Sequence, residues 1–315
     1  MTMLSKVLMV FLAAAMSGYL PANAKEQDKP VNCDNCEEWN KQIKPFNIYG
    51  NTWYVGVEGL SALLVTSPKG HILLDGGLPQ SAPLIVANIK ALGFRIKDVK
   101  LILNSHAHWD HSGGIPALQR ASGAMVIASA SSAKGLKSGT NVADDPQFQA
   151  NPVVHVAKIN QVKVVREGEI IKLGTLALTA HMTPGHTPGS TTWSWTSCEG
   201  QRCQNVVYVD SLNPAVSGDF TYSGKDKTPD ISASFAASIA KVAALNCDIV
   251  ISVHPGFTDV LEKAAARTAE NNPFIDTNGC RAYAADASQR LATKLAIERG
   301  EALPDSRKAT EHESH

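Results

Sequence analysis

The segment Ser105–Gly114 holds three histidines and one aspartate within six consecutive positions, although the whole chain has only 10 histidines in 315 residues. It directly follows a short apolar run, which predicts a buried strand. In an extended backbone residues i and i+2 share a face, so His106 and His108 point the same way. Asp110 and His111 continue around the loop toward a neighbouring point. Because imidazole and carboxylate are suitable zinc ligands, the segment predicts two adjacent metal positions.

Two further histidines repeat this setting, because each follows a predicted strand and lies in a tight turn. His186 lies in T-P-G-H-T-P-G-S, and His254 lies in S-V-H-P-G. We expect both to join the metal ligands. The remaining histidines lie in strand-like runs or in a polar tail, and we predict them to be structural or solvated. They are His71, His155, His181, His312 and His315.

Predicted strands and helices alternate through both halves of the chain. The strands are Thr52–Val55, Ser61–Ser67, His71–Asp75, Val99–Asn104, Ala124–Ser129, Leu176–His181, Thr191–Thr196, Val206–Val209 and Asp248–Ser252. The helices are Ser81–Leu92, Ile115–Ser122, Ser232–Leu245, Val260–Asn271 and Cys280–Arg299. Such alternation implies sheets covered by helices, with sites where strands end. No linker divides residues 25–315, so we predict a single domain there.

The N-terminus has one lysine, an apolar run over Val7–Met16, and Ala22-Asn23-Ala24 ahead of a charged stretch. This is the pattern of a secretory signal peptide over residues 1–24, cleaved after Ala24. A membrane anchor is the alternative, but the apolar run is shorter than the roughly 20 residues of a spanning helix. We therefore predict export to the periplasm with no membrane anchor after cleavage.

Charge and hydrophobic content narrow the class of partner. Lys plus Arg and Asp plus Glu number 29 each, so no long-range field would gather nucleic acid or an anionic membrane surface. The 44% hydrophobic content indicates a substantial core. We expect a monomer that acts on a small-molecule substrate and binds no nucleic acid.

The six cysteines allow fifteen full pairings, and an oxidising compartment favours disulfides. Proximity suggests Cys198 with Cys203, and Cys247 with Cys280. Cys33 and Cys36 would then remain. This C-x-x-C has no second copy and no strand-to-helix context of the thioredoxin kind, so we interpret it as a structural bridge or a local loop closure.

The histidine motifs resemble the metallo-β-lactamase superfamily in order and spacing, and L-L-D-G-G around Asp75 resembles its early aspartate motif. G-N-T-W-Y-V-G, D-G-G-L-P-Q-S-A, H-T-P-G-S-T-T-W-S-W, Y-V-D-S-L and S-V-H-P-G-F together resemble subclass B3 of the metallo-β-lactamases. Members of that subclass hydrolyse β-lactam antibiotics in the bacterial periplasm. The resemblance covers nearly the whole mature chain. It implies an α/β fold, the four-layer αβ/βα sandwich of two mixed β-sheets flanked by helices.

The resemblance also implies two zinc ions and a zinc-bound hydroxide that opens the amide bond of penicillins, cephalosporins and carbapenems, giving antibiotic resistance. Carried over to this chain, the first zinc takes His106, His108 and His186, and the second takes Asp110, His111 and His254. Asp110 would also orient the hydroxide. Ser211 and Asn213 would contact the substrate carboxylate. The pair Cys247 and Cys280 matches the disulfide usual in the subclass.

Two positions bear on the choice of substrate. In relatives such as glyoxalase II and lactone hydrolases, an aspartate in a G-D-[TS]-like motif bridges both metals, and Asp210 is a candidate for that role. Subclass B3 enzymes carry similar D-S-L residues without such a bridge, so Asp210 alone does not discriminate. Asn213-Pro214 stands where members of the subclass usually have Ser-Ala, and this difference bears on the range of substrates that the chain would accept.

Other functions remain as alternatives. A binuclear zinc thioester or lactone hydrolase could use the same ligands. A zinc-binding protein without catalysis is a third hypothesis, although storage or transport sites are more often closed by protein ligands. A serine β-lactamase is disfavoured, because the S-x-x-K matches at Ser131 and Ser238 are followed by neither S-D-N nor K-T-G. Trp53 and Trp109 could line a cleft, and Trp53 fits a core strand position equally well.

Overall fold

The computed structural model describes residues 28–149, 153–225 and 228–301. The predicted signal peptide lies outside the described residues, as do His312 and His315. No helix in the described ranges is long and apolar enough to cross a membrane.

The strands of the described residues form two mixed sheets. The first contains, in spatial order, β1 (Phe46–Tyr49), β2 (Thr52–Tyr54), β3 (Leu63–Val65), β4 (His71–Leu74), β5 (Val99–Leu103), β6 (Met125–Ala128) and β7 (Val162–Val164). Neighbouring strands from β1 through β4 pair in antiparallel fashion, and neighbouring strands from β4 through β7 pair in parallel. The second contains β8 (Ile170–Leu173), β9 (Leu176–Met182), β10 (Thr191–Glu199), β11 (Arg202–Val209) and β12 (Ile249–Ser252). Only β11 and β12 are parallel neighbours there.

The helices connect these strands and cover the sheets. They are α1 (Cys36–Trp39), α2 (Ala82–Ala91), α3 (Trp109–Ser112), α4 (Ile115–Ser122), α5 (Ala130–Ser138), α6 (Ser232–Ala243), α7 (Val260–Ala265) and α8 (Gly279–Arg299). Short 3-10 turns add Pro79–Ser81, Ile96–Asp98 and Pro255–Thr258.

Three apolar clusters define four layers. The largest lies between the two sheets and includes Leu74, Trp193 and Tyr208, which are at most 1% exposed. A second cluster packs α2 and α4 against the outer face of the first sheet. A third packs α6 and α8 against the outer face of the second sheet. This confirms the predicted αβ/βα sandwich, in which each sheet buries one face against the other sheet and one against helices.

The sheet topology brings several strand ends to one edge. Both β9 and β11 are antiparallel to β10, so they run in the same direction, and β12 is parallel to β11. The segments that follow β9, β11 and β12 therefore leave the second sheet at the same edge. The first sheet meets this edge where the Thr191 amide donates to the Ser105 carbonyl at 2.9 Å. Ligands of α/β folds bind at such strand ends.

Several elements differ from the prediction. Strands β1, β7 and β8 and helices α1, α3 and α5 were not predicted. Helix α7 ends at Ala265, although the periodicity predicted a helix to Asn271. Just after this end, the Arg267 side chain donates to the main-chain carbonyls of Asn47 and Ile48 in β1.

Three disulfides link the six cysteines. Cys198–Cys203 joins facing positions of the β10–β11 hairpin, and Cys247–Cys280 ties the start of β12 to α8. Both agree with the predicted pairing. The pair that the sequence left open, Cys33 and Cys36, also forms a disulfide, which closes the turn before α1.

Candidate metal centre

The histidine loop follows β5 and changes conformation midway. His108 is extended (φ −65°, ψ 149°), and Asp110 and His111 lie in the short helix α3. Gly113 and Gly114, at the end of the loop, have ordinary negative φ angles, so glycine is not required there for a left-handed turn. It is required for close packing, because a Cβ on Gly114 would lie 2.2 Å from the Gly76 carbonyl oxygen. The loop is therefore pressed against the end of β4.

His106, His108 and His186 form a first donor group. Their ring centroids lie 4.7 to 4.9 Å apart, and the ring planes meet at 72° to 85°. All three residues are buried, and one ring nitrogen of each lies within 4.8 Å of those of the other two. His186 reaches this point from the Pro/Gly loop after β9. Three imidazole nitrogens that converge in this way form a ligand set suited to a metal ion such as zinc.

Each ring of the first donor group is held from behind by a different acceptor. Nδ1 of His106 lies 2.6 Å from Oδ1 of Asp210. Nε2 of His108 lies 3.0 and 3.1 Å from the two carboxylate oxygens of Asp145. Nδ1 of His186 lies 2.9 Å from the Asn213 carbonyl oxygen. The second nitrogen of each ring is thus left for the centre, and Nε2 of His106 is buried with no partner among the described residues. Metal-binding histidines are typically held in this way.

Asp110, His111 and His254 form a second donor group beside the first. Nε2 of His111 lies 3.1 Å from Oδ2 of Asp110 and 3.1 Å from Nε2 of His254. The third side of this triangle, from His254 to Asp110, is 3.3 Å. Ligands about 2.0–2.1 Å from a tetrahedral zinc ion are separated by about 3.3 Å. The triangle therefore has the size that zinc requires, and Nδ1 of His254 faces the Gly59 carbonyl oxygen at 3.2 Å.

Burial and charge set the protonation of these groups. Burial lowers the pKa of His106 to about 4 and that of His186 to about 3, so both rings are neutral at pH 7 and keep a lone pair for a cation. Burial alone would raise the pKa of Asp110, but His111 and His254 outweigh it and hold that pKa well below its usual range. In turn, burial would lower the pKa of His111, but the Asp110 carboxylate outweighs burial and raises it. A cation can replace the proton that His111 shares with Asp110.

Asp75 lies behind the histidine loop and is fully buried. Its carboxylate accepts four hydrogen bonds: from the Ser105 amide at 2.8 Å, the Ser105 hydroxyl at 2.6 Å, Asn104 Nδ2 at 3.1 Å and the Tyr208 hydroxyl at 2.9 Å. Burial raises the pKa of Asp75 to about 6, although His111 and these donors oppose that rise. The contacts fix the backbone immediately before His106.

The residues predicted to contact substrate lie next to the first donor group. Ser211 follows Asp210 after β11 and is 3% exposed. Asn213 is half-buried and uses its main-chain carbonyl to hold His186. Oδ1 of Asp210 holds His106 from behind, whereas Oδ2 is buried with no hydrogen-bond partner among the described residues.

The two candidate tryptophans differ in position. Trp53 packs edge-on against Phe94, on the helix-covered face of the first sheet. It is a partly buried strand residue that packs against the core, which is nearer to the second of its two interpretations. Trp109 lies 6.4 Å from Trp39 between ring centroids, and the Trp39 ring lies 5.2 Å from that of His254. These two tryptophans border the second donor group.

Sequence reasoning missed Trp39 and Asp145. Trp39 follows the C-x-x-C segment, where no pattern relates it to His254. Asp145 lies in a polar loop beside the exposed Asp144, and the two look alike in sequence. The five histidines predicted to be structural or solvated include His71, which packs against Phe94, and His181, whose Nε2 lies 2.8 Å from the Ser194 hydroxyl.

Gly59 is expected to tolerate no side chain. A Cβ there would lie 2.3 Å from Cδ1 of Trp39, so Gly59→Ala must displace the Trp39 ring or the carbonyl that faces His254. We expect a loss of about 1–3 kcal/mol in the free energy of unfolding, measured by denaturant titration. Gly256→Ala is the matched control, because nothing lies within 4 Å of a Cβ at that exposed position. Equal stability of the two variants would contradict this packing.

Comparison with known proteins agrees with the geometry. The sequence model of the metallo-beta-lactamase superfamily matches residues 55–198. MEM-A1, a subclass B3 metallo-beta-lactamase isolated from a soil metagenome library, is 48% identical, with a TM-score of 0.80 over 83% of this chain and 99% of that chain. The chain belongs to the metallo-β-lactamase superfamily. It is therefore an enzyme of a zinc-dependent hydrolase superfamily.

Further relatives within this superfamily differ in how much of their length is matched. The Rm3 metallo-beta-lactamase is 47% identical, with a TM-score of 0.82 over 85% of this chain and all (100%) of that chain. A hydroxyacylglutathione hydrolase from Anaeromyxobacter dehalogenans is 30% identical over 58% of this chain and 55% of its own length. The chain spans about half the length of the curated relatives that it matches first.

Proposed function

We propose that this metallo-β-lactamase superfamily member is a secreted, zinc-dependent β-lactamase that hydrolyses the amide bond of penicillins, cephalosporins and carbapenems, giving antibiotic resistance. The observation that carries the proposal is the pair of adjoining donor groups, each of three side chains. His106 and His111, one from each group, have ring centroids 4.4 Å apart. Three protein ligands per ion leave positions open for water and substrate, as in catalytic zinc sites.

The proposed ligands are His106, His108 and His186 for the first zinc and Asp110, His111 and His254 for the second. The unpartnered Nε2 of His106 and the size of the second triangle support this assignment. Bound zinc supplies Lewis acidity at the lactam carbonyl and lowers the pKa of coordinated water toward about 7.

The chain's own residues position the reactants. Oδ2 of Asp110 belongs to the second triangle, which leaves Oδ1 free to accept a hydrogen bond from the attacking water and orient it. The depressed pKa of Asp110 keeps it ionised for this task. We expect Ser211 and Asn213 to donate to the substrate carboxylate, since both belong to the segment that follows Asp210. Trp39 and Trp109 offer apolar surface at the border and restrict the access of bulk water.

The similarity to solved subclass B3 structures favours β-lactam hydrolysis over thioester or lactone hydrolysis. In the relatives that act on thioesters, the corresponding aspartate bridges the two metals, and in this chain one oxygen of Asp210, Oδ1, lies 2.6 Å from Nδ1 of His106. The hydroxyacylglutathione hydrolase match supports thioester hydrolysis as the second candidate, but its identity of 30% is well below the 48% to MEM-A1.

We also propose that residues 1–24 direct export to the periplasm and that residues 25–315 act as one domain and as a monomer. The three disulfides support an oxidising compartment, since such bonds are rare in the reducing cytosol.

The deciding experiment follows the ultraviolet absorbance of a carbapenem, a cephalosporin and a penicillin during incubation with the mature protein and zinc. We expect rapid loss of the lactam chromophore, which a metal chelator abolishes and clavulanate leaves unchanged, because no serine nucleophile takes part. A hydroxyacylglutathione thioester is assayed in parallel. Cleavage of the thioester alone, with zinc bound, would replace the proposed function with the second candidate.

A further inference from the structure

Asp145 is a buried carboxylate that the proposed reaction does not use. It is 5% exposed, and both of its oxygens lie within hydrogen-bond distance of Nε2 of His108, which is itself 5% exposed. The two residues are 37 positions apart in the chain, so local structure does not force the contact. An ionised carboxylate at this depth is costly unless it is paired.

A tight loop holds the Asp145 carboxylate in place. The Gln147 amide donates to Oδ1 at 2.7 Å, and the Asp145 amide donates to the Val142 carbonyl at 3.0 Å. The carboxylate therefore cannot swing away from His108 without breaking the turn. If Asp145 only capped its own loop, the hydrogen bond from the Gln147 amide would be enough. The two contacts with the distant His108 imidazole would then be unnecessary.

The Asp145 loop is joined to the loop that holds His186. The Ser217 amide donates to the Pro146 carbonyl at 3.0 Å, and the Asp219 amide donates to Oε1 of Gln149 at 3.3 Å. Gly218, at φ +59°, permits this approach. We call residues 141–149 and 211–222 the roof loops. One of them orients His108 through Asp145, and the other orients His186 through the Asn213 carbonyl.

We propose that Asp145 is a positioning residue of the first metal site, which holds His108 with its proton on Nε2 and its Nδ1 toward the metal, and so couples the roof loops to that site. This inference rests on the zinc ligands of the proposed function. Outer carboxylates of this kind fix both the tautomer and the orientation of a ligating imidazole and raise its basicity.

The test compares Asp145→Asn with the wild type and with Asp144→Asn, an exposed neighbour that serves as the matched control. Zinc affinity of the full mature protein is measured by competition with a chromophoric chelator. We expect Asp145→Asn to lower the affinity for one of the two zinc ions by about 10–100-fold and to leave the affinity for the other unchanged. Asp144→Asn should match the wild type. A cobalt-substituted sample gives a second readout, because the absorption of only one ion should change.

The kinetic consequence is separable from metal binding. At limiting zinc, Asp145→Asn should lose kcat for the β-lactam while KM changes little, and excess zinc should restore kcat. Unchanged zinc affinity together with a lower melting temperature would overturn the proposal, since Asp145 would then be merely structural. If the wild type binds two zinc ions but cleaves no β-lactam, the proposed function fails, and the chelator competition still decides the role of Asp145.

Discussion

Asp110→Ala is expected to lower kcat for β-lactam hydrolysis by about 10²–10⁴-fold, the range associated with a positioned acid–base group. The substitution removes Oδ2 from the triangle with His111 and His254, and it removes the acceptor that orients the attacking water. It also takes away the negative charge that offsets the burial of His111. The second donor group would keep two imidazoles only.

The measurement is steady-state hydrolysis at saturating zinc, with metal content and circular dichroism recorded on the same sample. Asp144→Ala is the control, because Asp144 is exposed in a loop near the site. A folded Asp110→Ala protein with activity close to that of the wild type would refute both roles given to Asp110. Loss of one zinc ion with the fold retained is the result expected from the ligand assignment.

Asp75→Ala is expected to cost about 3 kcal/mol or more in the free energy of unfolding, because a buried donor left without its acceptor costs about 1–3 kcal/mol. The substitution leaves four donors from Asn104, Ser105 and Tyr208 without their acceptor in a site closed to water. Asp75 also has a positive φ of 57°, and its contacts hold the backbone in that conformation. Denaturant unfolding with a shared m value measures the loss. Asp286→Ala, at an exposed position in α8, should change little.

The pH dependence of this effect has a definite sign. Burial raises the pKa of Asp75 from 3.8 to about 6 in the folded protein, so between these values the folded chain keeps a proton that the unfolded chain has lost. The stability that protonated Asp75 contributes is complete below about pH 4 and is lost as the pH rises through about 6. In metal-free protein, the advantage of the wild type over Asp75→Asn should therefore shrink across this range. An advantage that grew with pH would contradict the raised pKa.

The sequence predicted the parts of the fold that carry strong local signals. Apolar runs ending in histidine or in Pro/Gly turns marked β5, β9 and β12, and all three ends meet at the site. By contrast, β7 has only three residues, all partly or fully exposed, so it shows neither an apolar run nor an alternation. Helix α5 is built from small and polar residues, and its start depends on the Ser129 side chain accepting from the Ser132 amide. Such elements are fixed by their neighbours rather than by their own pattern.

The same limit applies to the site. The six candidate ligands could be predicted because five are histidines, the sixth is an aspartate among them, and all follow predicted strand ends. The residues that hold them could not, since Asp145, Asn213 and Gly59 act through tertiary contacts, two of them by main-chain carbonyls that any residue type offers. The role of Asp210 was left open for the same reason. Its sequence context fits a bridging and an outer position alike, and the contact of its Oδ1 with His106 is visible only in the structure.

The contact between the Gly59 carbonyl and Nδ1 of His254 joins residues 195 positions apart in the chain. Closing so long a segment has a large entropic cost that must be met before the contact forms, and such contacts slow folding. His111 and Asp110, in contrast, are neighbours in one short helix. We therefore expect the second donor group to be completed late in folding, when β12 has joined its sheet and the Trp39 segment has docked beside it. If the proposed ligands hold a second ion, we expect its high-affinity uptake to occur in the compartment in which folding finishes, whatever the metal supply where the chain is made.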